Sequence, residues 1–362
     1  MKLVKPSFKI LSQDYTLKGI FRTIEEAGRT CYKSIGTRYF RLKKEGLNDQ
    51  IEAFVNRVKQ NKNVVVKEGP SIDRAYYISI KNKDVELYPE LESYQEETFD
   101  DCALYENLTA ESFVDNLCKN GHTAMLEHGT VYLEFETPWS TRDNSDVQKY
   151  INNPYSEVSN DVYLRDDYKN GERQYAKAYV TTNFRVLYEN NWLDDVKHIC
   201  EPNKYHAKRI SVKFICSRQT SHEFVRHRRF SFGQESTRFC NYSLNKFGSN
   251  LTFIEPCWFE DINSLDAKEN ITKLKAQQEW KNHMQLVEDS YFRLLDYNWT
   301  PQLAANILPN ALKTELVMTG FVNDWKHFFD LRSDIAKTGK PHPQAEELAT
   351  PLREEFKRRH LI

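Results

Sequence analysis

Glycine is scarce in this chain. Only 12 of its 362 residues are Gly, and none form the G-x-G-x-x-G or G-x-x-x-x-G-K-[ST] patterns that bring backbone amides against phosphates. A cofactor would therefore have to be held another way. Net charge is missing too. The 51 basic and 52 acidic residues leave −1 at pH 7, which excludes the global positive field of a nonspecific nucleic-acid or membrane-surface binder. The seven cysteines (Cys31, Cys102, Cys118, Cys200, Cys216, Cys240 and Cys257) are odd in number and scattered, and are never spaced C-x-x-C. That spacing argues against a disulfide framework or a zinc knuckle, so no metal is expected and the thiols read as reduced. Long apolar runs are absent as well: none reaches 18 residues, and Met1 to Ile10 lacks the apolar stretch of a signal peptide. The expectation is a soluble, cytoplasmic protein with no membrane partner.

What is present is aromatic-rich, 13% Phe, Trp and Tyr, and mixed in its periodicities. A helix is expected over 22–34, with Ile24, Ala27 and Cys31 on one face, and another over 110–120, where Phe113, Val114, Leu117 and Cys118 make a stripe. Gly121 stands where a C-terminal helix glycine belongs. Residues 35–107 are charged and weakly periodic, an elaboration around a core. Alternation predicts a half-buried strand at 130–136, in which Val131, Leu133 and Phe135 oppose Tyr132, Glu134 and Glu136. Residues 138–173 are polar and turn-rich and read as a loop or excursion. A strand at 175–181 and a helix near 184–191 follow. Next comes a strand from Lys208 to Cys216 with Ile210, Val212, Phe214 and Cys216 on one face, then a short helix carrying Glu223 to Arg228. A strand at 251–254, a long charged helix at 265–297, a short helix, apolar stretch and second helix within 301–332, and a last helix after Pro343 complete the pass. Helices and strands mix without regular βαβ alternation, so the class is α+β, with helices packed on an antiparallel sheet.

The densest chemistry lies in Arg226-His227-Arg228-Arg229-Phe230-Ser231-Phe232-Gly233-Gln234-Glu235-Ser236-Thr237-Arg238. Guanidinium forks hold phosphate oxygens or oxygen-rich rings bidentately, and the serines and threonine add neutral donors. Such a segment suits a phosphorylated ligand bearing a polar ring. Two plainer readings stand beside it: a solvated basic face, and nucleic-acid binding with Phe224, Phe230, Phe232 and Phe239 as stacking surfaces or, alternatively, as core.

The pattern R-H-R, seven residues, Ser, then Arg two positions on resembles the signature of flavin-dependent thymidylate synthases. Arg226, His227, Arg228, Ser236 and Arg238 match it, and Ser231 matches a further frequent serine. The flanks Ser221-His222-Glu223-Phe224-Val225 and Asn241-Tyr242-Ser243 are similar to one branch of that family. Two other segments agree in order along the chain. Gly121-His122-Thr123-Ala124-Met125-Leu126-Glu127-His128 is similar to its G-H-x-x-x-x-E-H element. Leu308-Pro309, Thr319 to Asn323, Trp325, His327-Phe328-Phe329 and Leu331-Arg332 are similar to its last motif. The resemblance implies one domain over 1–362 of that family's fold, with insertions near 35–107 and 138–205.

It also implies an activity: reductive methylation of dUMP to dTMP with 5,10-methylenetetrahydrofolate and NADPH, hydride coming from reduced FAD and no protein nucleophile taking part. By the same resemblance His122, Arg226, His227, Arg228, Gln234, Asn323 and His327 bind cofactor. Glu223, Phe224, Val225, Arg226, Gln234, Glu235, Ser236, Thr237, Arg238 and Arg332 meet dUMP, with the backbone amides of the 234–238 loop and Arg238 on its phosphate. Arg332 carries the catalytic role, polarising the uracil ring as negative charge develops. A homotetramer with shared active sites is implied, and no nucleic-acid partner. The sequence departs from the family at Ala305, where many members have an Arg in A-R-x-x-L-P that contacts the nucleotide; Asn306 or Lys313 is a candidate substitute. Gln234 replaces a frequent acidic residue, with Glu235 next to it.

Overall fold

The computed structural model describes residues 1–43, 49–70, 75–97, 106–138, 145–159, 175–238, 240–244, 249–259 and 270–362. The chain divides into two compact units. One is built from Met1–Leu11, Thr30–Lys33 and Lys204–Ile362, the other from Ser12–Arg29 and Ser34–Asn203.

The first unit centres on a four-stranded antiparallel sheet. Its central strands, Arg209–Ser217 and Lys313–Phe321, pair over their full length, Arg209 opposite Phe321 and Ser217 opposite Lys313. Ser7–Ile10 flanks the first and Ser231–Gln234 the second. Alternation puts Val212, Phe214 and Cys216 on the face that Leu316 and Met318 share, and that face is covered by the helices Arg218–Phe224, Val322–Arg332 and Pro343–Arg358. Phe224, Trp325, Phe328, Phe329, Leu352 and Phe356 fill the space between, nearly all of them wholly buried. Burial of each such side chain stabilises by about 1.5–3 kcal/mol before the entropy of ordering is counted. A second cluster forms where the long helix Asn270–Asp296 packs Met284 and Tyr291 against Leu251, Phe253 and Leu312.

The second unit holds two antiparallel sheets. Strands Thr130–Pro138, Tyr175–Asn183 and Glu157–Ser159 form one, with Val131, Leu133, Phe135 and Val180 packed against Ile20 and Ile24 of the helix Leu17–Tyr32 and Val114 and Leu117 of the helix Ala110–Lys119. Gly121 takes φ +68 after that second helix. His122 N–H reaches back to Leu117 O at 2.9 Å and Gly121 N–H to Cys118 O at 3.1 Å, the left-handed helix ending expected there. The other sheet, in the order Val64–Glu68, Ala75–Lys81, Thr37–Lys43, Gln95–Glu97, carries its own core with Val55 and Val58 of the helix Asp49–Val58.

The α+β class is borne out. Two local expectations need correcting. Residues 35–107, read as a charged, weakly periodic elaboration around a core, contain a sheet with a packed core of its own. Residues 138–173 include a helix, Ser145–Ile151, and the strand Glu157–Ser159; 139–144 and 160–174 lie outside the described residues.

Candidate functional site

The helix Arg218–Phe224 starts from an Ser217 cap, whose Oγ accepts from the Thr220 N–H at 3.1 Å. It stops two residues before the arginines, not at Arg228 as its sequence suggests. From Val225 the chain runs in successive turns: His227 N–H bonds to Phe224 O and Phe230 N–H to His227 O, each at 3.1 Å. These turns send alternate groups in opposite directions. His227 and Phe230 point into the unit, while Arg226, Arg228 and Arg229 stand in solvent. Phe230 meets Trp325 edge-on at 4.7 Å between ring centres. It can do so because the facing residue in the sheet is Gly320, where a Cβ would lie 2.5 Å from the Phe230 ring. The segment then becomes the edge strand Ser231–Gln234, which its Ser-Phe-Gly-Gln composition does not advertise.

Arg332, at the last turn of Val322–Arg332, lies beneath these turns. Its Nη1 donates to Glu223 Oε2 at 2.5 Å, its Nη2 to the Glu223 carbonyl at 2.9 Å, and its Nε to His227 Nε2 at 3.2 Å. An imidazole nitrogen that accepts from a guanidinium has no proton of its own, so His227 carries its proton on Nδ1. Burial pushes the His227 pKa down to about 4, with the charges of Arg332 and His327 acting in the same direction and Glu223 opposing them. The Arg332–His227–Glu223 group is thus a guanidinium oriented by one carboxylate and one neutral imidazole. His327 stands close by, its ring centre 6.1 Å from that of His227. It shares an exposed helix face with Asn323, four residues earlier.

The exposed cations are not equivalent. Arg229 pairs with Asp324 at 3.1 Å and Arg226 approaches Glu223 at 3.6 Å. Arg228 has no ion pair among the described residues, which leaves its fork available to a ligand.

Other expected residues are placed differently. Phe224 is wholly buried in the core, against Phe214 and Phe328 at 5.0 Å each, so its side chain cannot line a uracil ring. Phe230 is core as well, and Phe232 packs partly against it; Phe239 lies outside the described residues. Val225 is exposed. Gln234 is half-buried, donating to Ser221 Oγ at 2.8 Å and Thr314 Oγ1 at 3.3 Å. Glu235 is buried, accepting from Lys313 Nζ at 2.9 Å and Tyr242 OH at 3.2 Å, and its carboxylate therefore faces protein cations rather than a ligand. Two amides of the expected phosphate loop are already used: Glu235 N–H bonds to Glu315 O and Ser236 N–H to Cys31 O, both at 2.9 Å. Ser236 and Thr237 are half-buried and Arg238 is exposed, at the turn that follows. Lys313, a candidate substitute for the cation missing at Ala305, is committed to Glu235 and Glu315; Asn306 is exposed. His122 belongs to the second unit, exposed before the short turn Thr123–His128. Lys33 was not expected to bear on the site, and Tyr242 was matched only as part of a flanking motif. Their contacts with Glu235 reveal them, Tyr242 from seven residues on and Lys33 from far back in the chain.

This α+β unit thus sets a guanidinium, held in place by a carboxylate and a neutral histidine, beside exposed arginines, an arrangement whose chemistry suits an anionic ligand. Residues 206–360 match the family model of thymidylate synthase complementing protein, which bears out the resemblance over this segment. The flavin-dependent thymidylate synthase of Geobacter sulfurreducens is 32% identical over 116 residues, 32% of this chain and 44% of that protein. The enzyme of the same description from Mycobacterium avium is 28% identical over 151 residues, 38% of this chain and 56% of its own. The chain thus spans about half the length of the curated relatives it matches. Among solved structures, a UMP/dUMP methylase from Streptomyces cacaoi bound with 5-Br dUMP aligns at 18% identity and TM-score 0.35, over 41% of this chain and 67% of that one. Thymidylate synthase X from Helicobacter pylori with FAD and dUMP aligns at 18% identity and TM-score 0.30, over 42% and 69%.

Proposed function

We propose that this chain is a flavin-dependent thymidylate synthase that methylates dUMP to dTMP, using 5,10-methylenetetrahydrofolate as carbon donor and NADPH as reductant. The observation that carries the reading is Arg332 held by Glu223 and neutral His227 inside the segment that matches the family model. A guanidinium with three of its N–H groups already fixed needs little reorganisation to meet charge developing on a polar ring, and preorganisation of this kind is where electrostatic catalysis gains most. In this reading Arg332 polarises the uracil, while Glu223 and His227 keep it aimed.

The donor set suits FAD. Arg226 and Arg228 offer solvent-facing forks to a pyrophosphate, and Asn323 and His327 present polar edges along one helix face next to His227. Bound there, FAD supplies the hydride. Ser236, Thr237 and Arg238 offer a hydroxyl-rich turn with a cation for the dUMP phosphate, Gln234 comes just before it, and Val225 is exposed at the end of the helix Arg218–Phe224. His122 is carried in the proposal as a residue of the second unit. No protein nucleophile is invoked, since the sequence places no base beside Ser236.

A homotetramer with shared sites and a cytoplasmic location belong to the same proposal. Exposed Leu286, Tyr297 and Trp299 support an assembly. Among the described residues no helix is long and apolar enough to cross a membrane.

The test is purification followed by denaturation, looking for a yellow chromophore released as FAD. NADPH oxidation and dTMP formation are then followed with dUMP and methylenetetrahydrofolate. Protein that stays colourless and cannot be reconstituted with FAD overturns the proposal.

A further inference from the structure

Beneath the Glu235–Arg238 turn, within the first unit, lies a cluster of five ionised side chains. Lys313 Nζ meets Glu235 Oε2 at 2.9 Å and Glu315 Oε1 at 2.7 Å, and Lys213 meets Glu315 Oε2 at 3.1 Å. Lys33 pairs with Glu315 and stands 3.7 Å from Glu235. Tyr242 OH donates to the other Glu235 oxygen at 3.2 Å. Glu235 is the most deeply buried member, its side chain 2% exposed.

The partners come from four separate stretches of chain. Lys313 and Glu315 sit on a central strand of the sheet, Lys213 on its neighbour, Tyr242 beyond the turn, and Lys33 just after the helix Leu17–Tyr32. Lys33 takes φ +48, a left-handed conformation that a lysine adopts only when its surroundings hold it there. The backbone repeats the pattern on either side: Glu235 N–H bonds to Glu315 O, Ser236 N–H to Cys31 O, and Cys240 N–H to Ser236 O at 3.1 Å. One carboxylate therefore joins the turn to the sheet, to the helix end and to the residues that follow.

Charge explains why this carboxylate matters more than an ordinary ion pair. Three ammonium groups face two carboxylates, a surplus of one positive charge in a part-buried site. Removing Glu235 would double that surplus and leave Lys313 with a single counter-ion. Breaking a buried pair from one side costs far more than the pair itself contributes.

We propose that Glu235 is a positioning residue, whose buried carboxylate sets the conformation in which Ser236, Thr237 and Arg238 receive the phosphate of a nucleoside monophosphate. This rests on the reading that the turn is the dUMP site. It differs from a direct ligand contact, because both oxygens of Glu235 are already met by protein donors.

The test uses the full-length FAD-loaded protein and Glu235→Gln, which keeps the side-chain size and removes the charge. Amide exchange at Ser236 and Cys240 is expected to accelerate about tenfold or more, and the KM for dUMP to rise about tenfold, the effect of one lost charge-assisted contact. The kcat at saturating dUMP should stay within about twofold, since Glu235 touches no reacting atom. Glu235→Asp should recover part of both changes. Should Glu235→Gln not fold, Tyr242→Phe removes a single donor to the same carboxylate and should move both readouts in the same direction, by less. A raised KM with unchanged amide exchange would mean direct contact and overturn the inference, as would faster exchange with an unchanged KM. Wild-type protein that binds no dUMP overturns the functional reading and this inference together. Wild-type turnover alongside a variant of unchanged KM overturns this inference alone.

Discussion

His227 should be neutral throughout the physiological range and should withdraw stability from the fold as the solution is acidified. The imidazole is packed against Phe328, with Arg332 and His327 beside it, and Glu223 is the acidic group that opposes them. Its pKa falls from the ordinary 6.5 to about 4 in the folded chain. The sign follows from proton counting. As pH drops below 6.5, the unfolded chain takes up a proton at this position and the folded chain does not, so the unfolded state gains. The stability present above the unfolded value is lost progressively until the folded pKa is reached, and below that the loss levels off. At about pH 5 the loss from this one residue should be about 2 kcal/mol. Other carboxylates titrate over the same range, so the assay must be a difference. Urea unfolding of wild type and His227→Gln, each at about pH 7.5 and about pH 5, isolates the contribution. The variant should be less stable than wild type at the higher pH, and the gap should close by about 2 kcal/mol at the lower one. Parallel curves would show that His227 titrates normally, and with that the neutral acceptor assigned to Arg332 Nε would be lost.

Arg332→Ala should lower dTMP formation by about 100-fold or more while FAD stays bound, the scale on which single preorganised donors act; unchanged turnover would remove the role assigned to it. Arg228→Ala should weaken FAD retention about tenfold or more with little change in thermal stability, because no ion pair to Arg228 exists among the described residues. Equilibrium dialysis against FAD checks this. Asp324→Asn frees Arg229, already 75% exposed, from its 3.1 Å pair, and should leave dTMP formation within about threefold. Trp325→Ala should destabilise by about 3–5 kcal/mol. The indole is wholly buried, and its Nε1–H donates to Ile210 O at 3.1 Å, so both packing and a hydrogen bond are lost; calorimetry reads this directly.

What could be read from the sequence follows a physical pattern. The strand Arg209–Ser217 was legible because its apolar residues alternate against one covered face, and the end of Ala110–Lys119 because Gly121 is a residue that tolerates φ +68. The sheet within 37–97 was not. Its strands carry Arg38, Arg41 and Lys67 among apolar residues, and two of these cations are accounted for only across the sheet, Arg38 meeting Glu96 at 2.6 Å and Arg41 meeting Glu97 at 3.9 Å. Ser231–Gln234 was hidden for a related reason: its residues have little strand preference of their own, and pairing with Lys313–Phe321 makes the strand.

The same distinction governs the candidate site. Residue types announced a cationic, hydroxyl-rich segment, but whether each charge is available to a ligand depends on partners far away in the chain. Lys313 looked like a replacement for the arginine missing at Ala305, yet it is 78 residues from the carboxylate that claims it. Glu235 looked like a ligand contact and is instead held by protein donors on both oxygens. Arg229 is adjacent to Arg228 and also exposed, but Asp324 has already engaged it. Among the described residues, Arg228 is therefore the one of Arg226, Arg228 and Arg229 with no ion pair, by elimination among neighbours of one type. A residue list cannot make that elimination; it requires the distance from each charged head group to its nearest counter-charge.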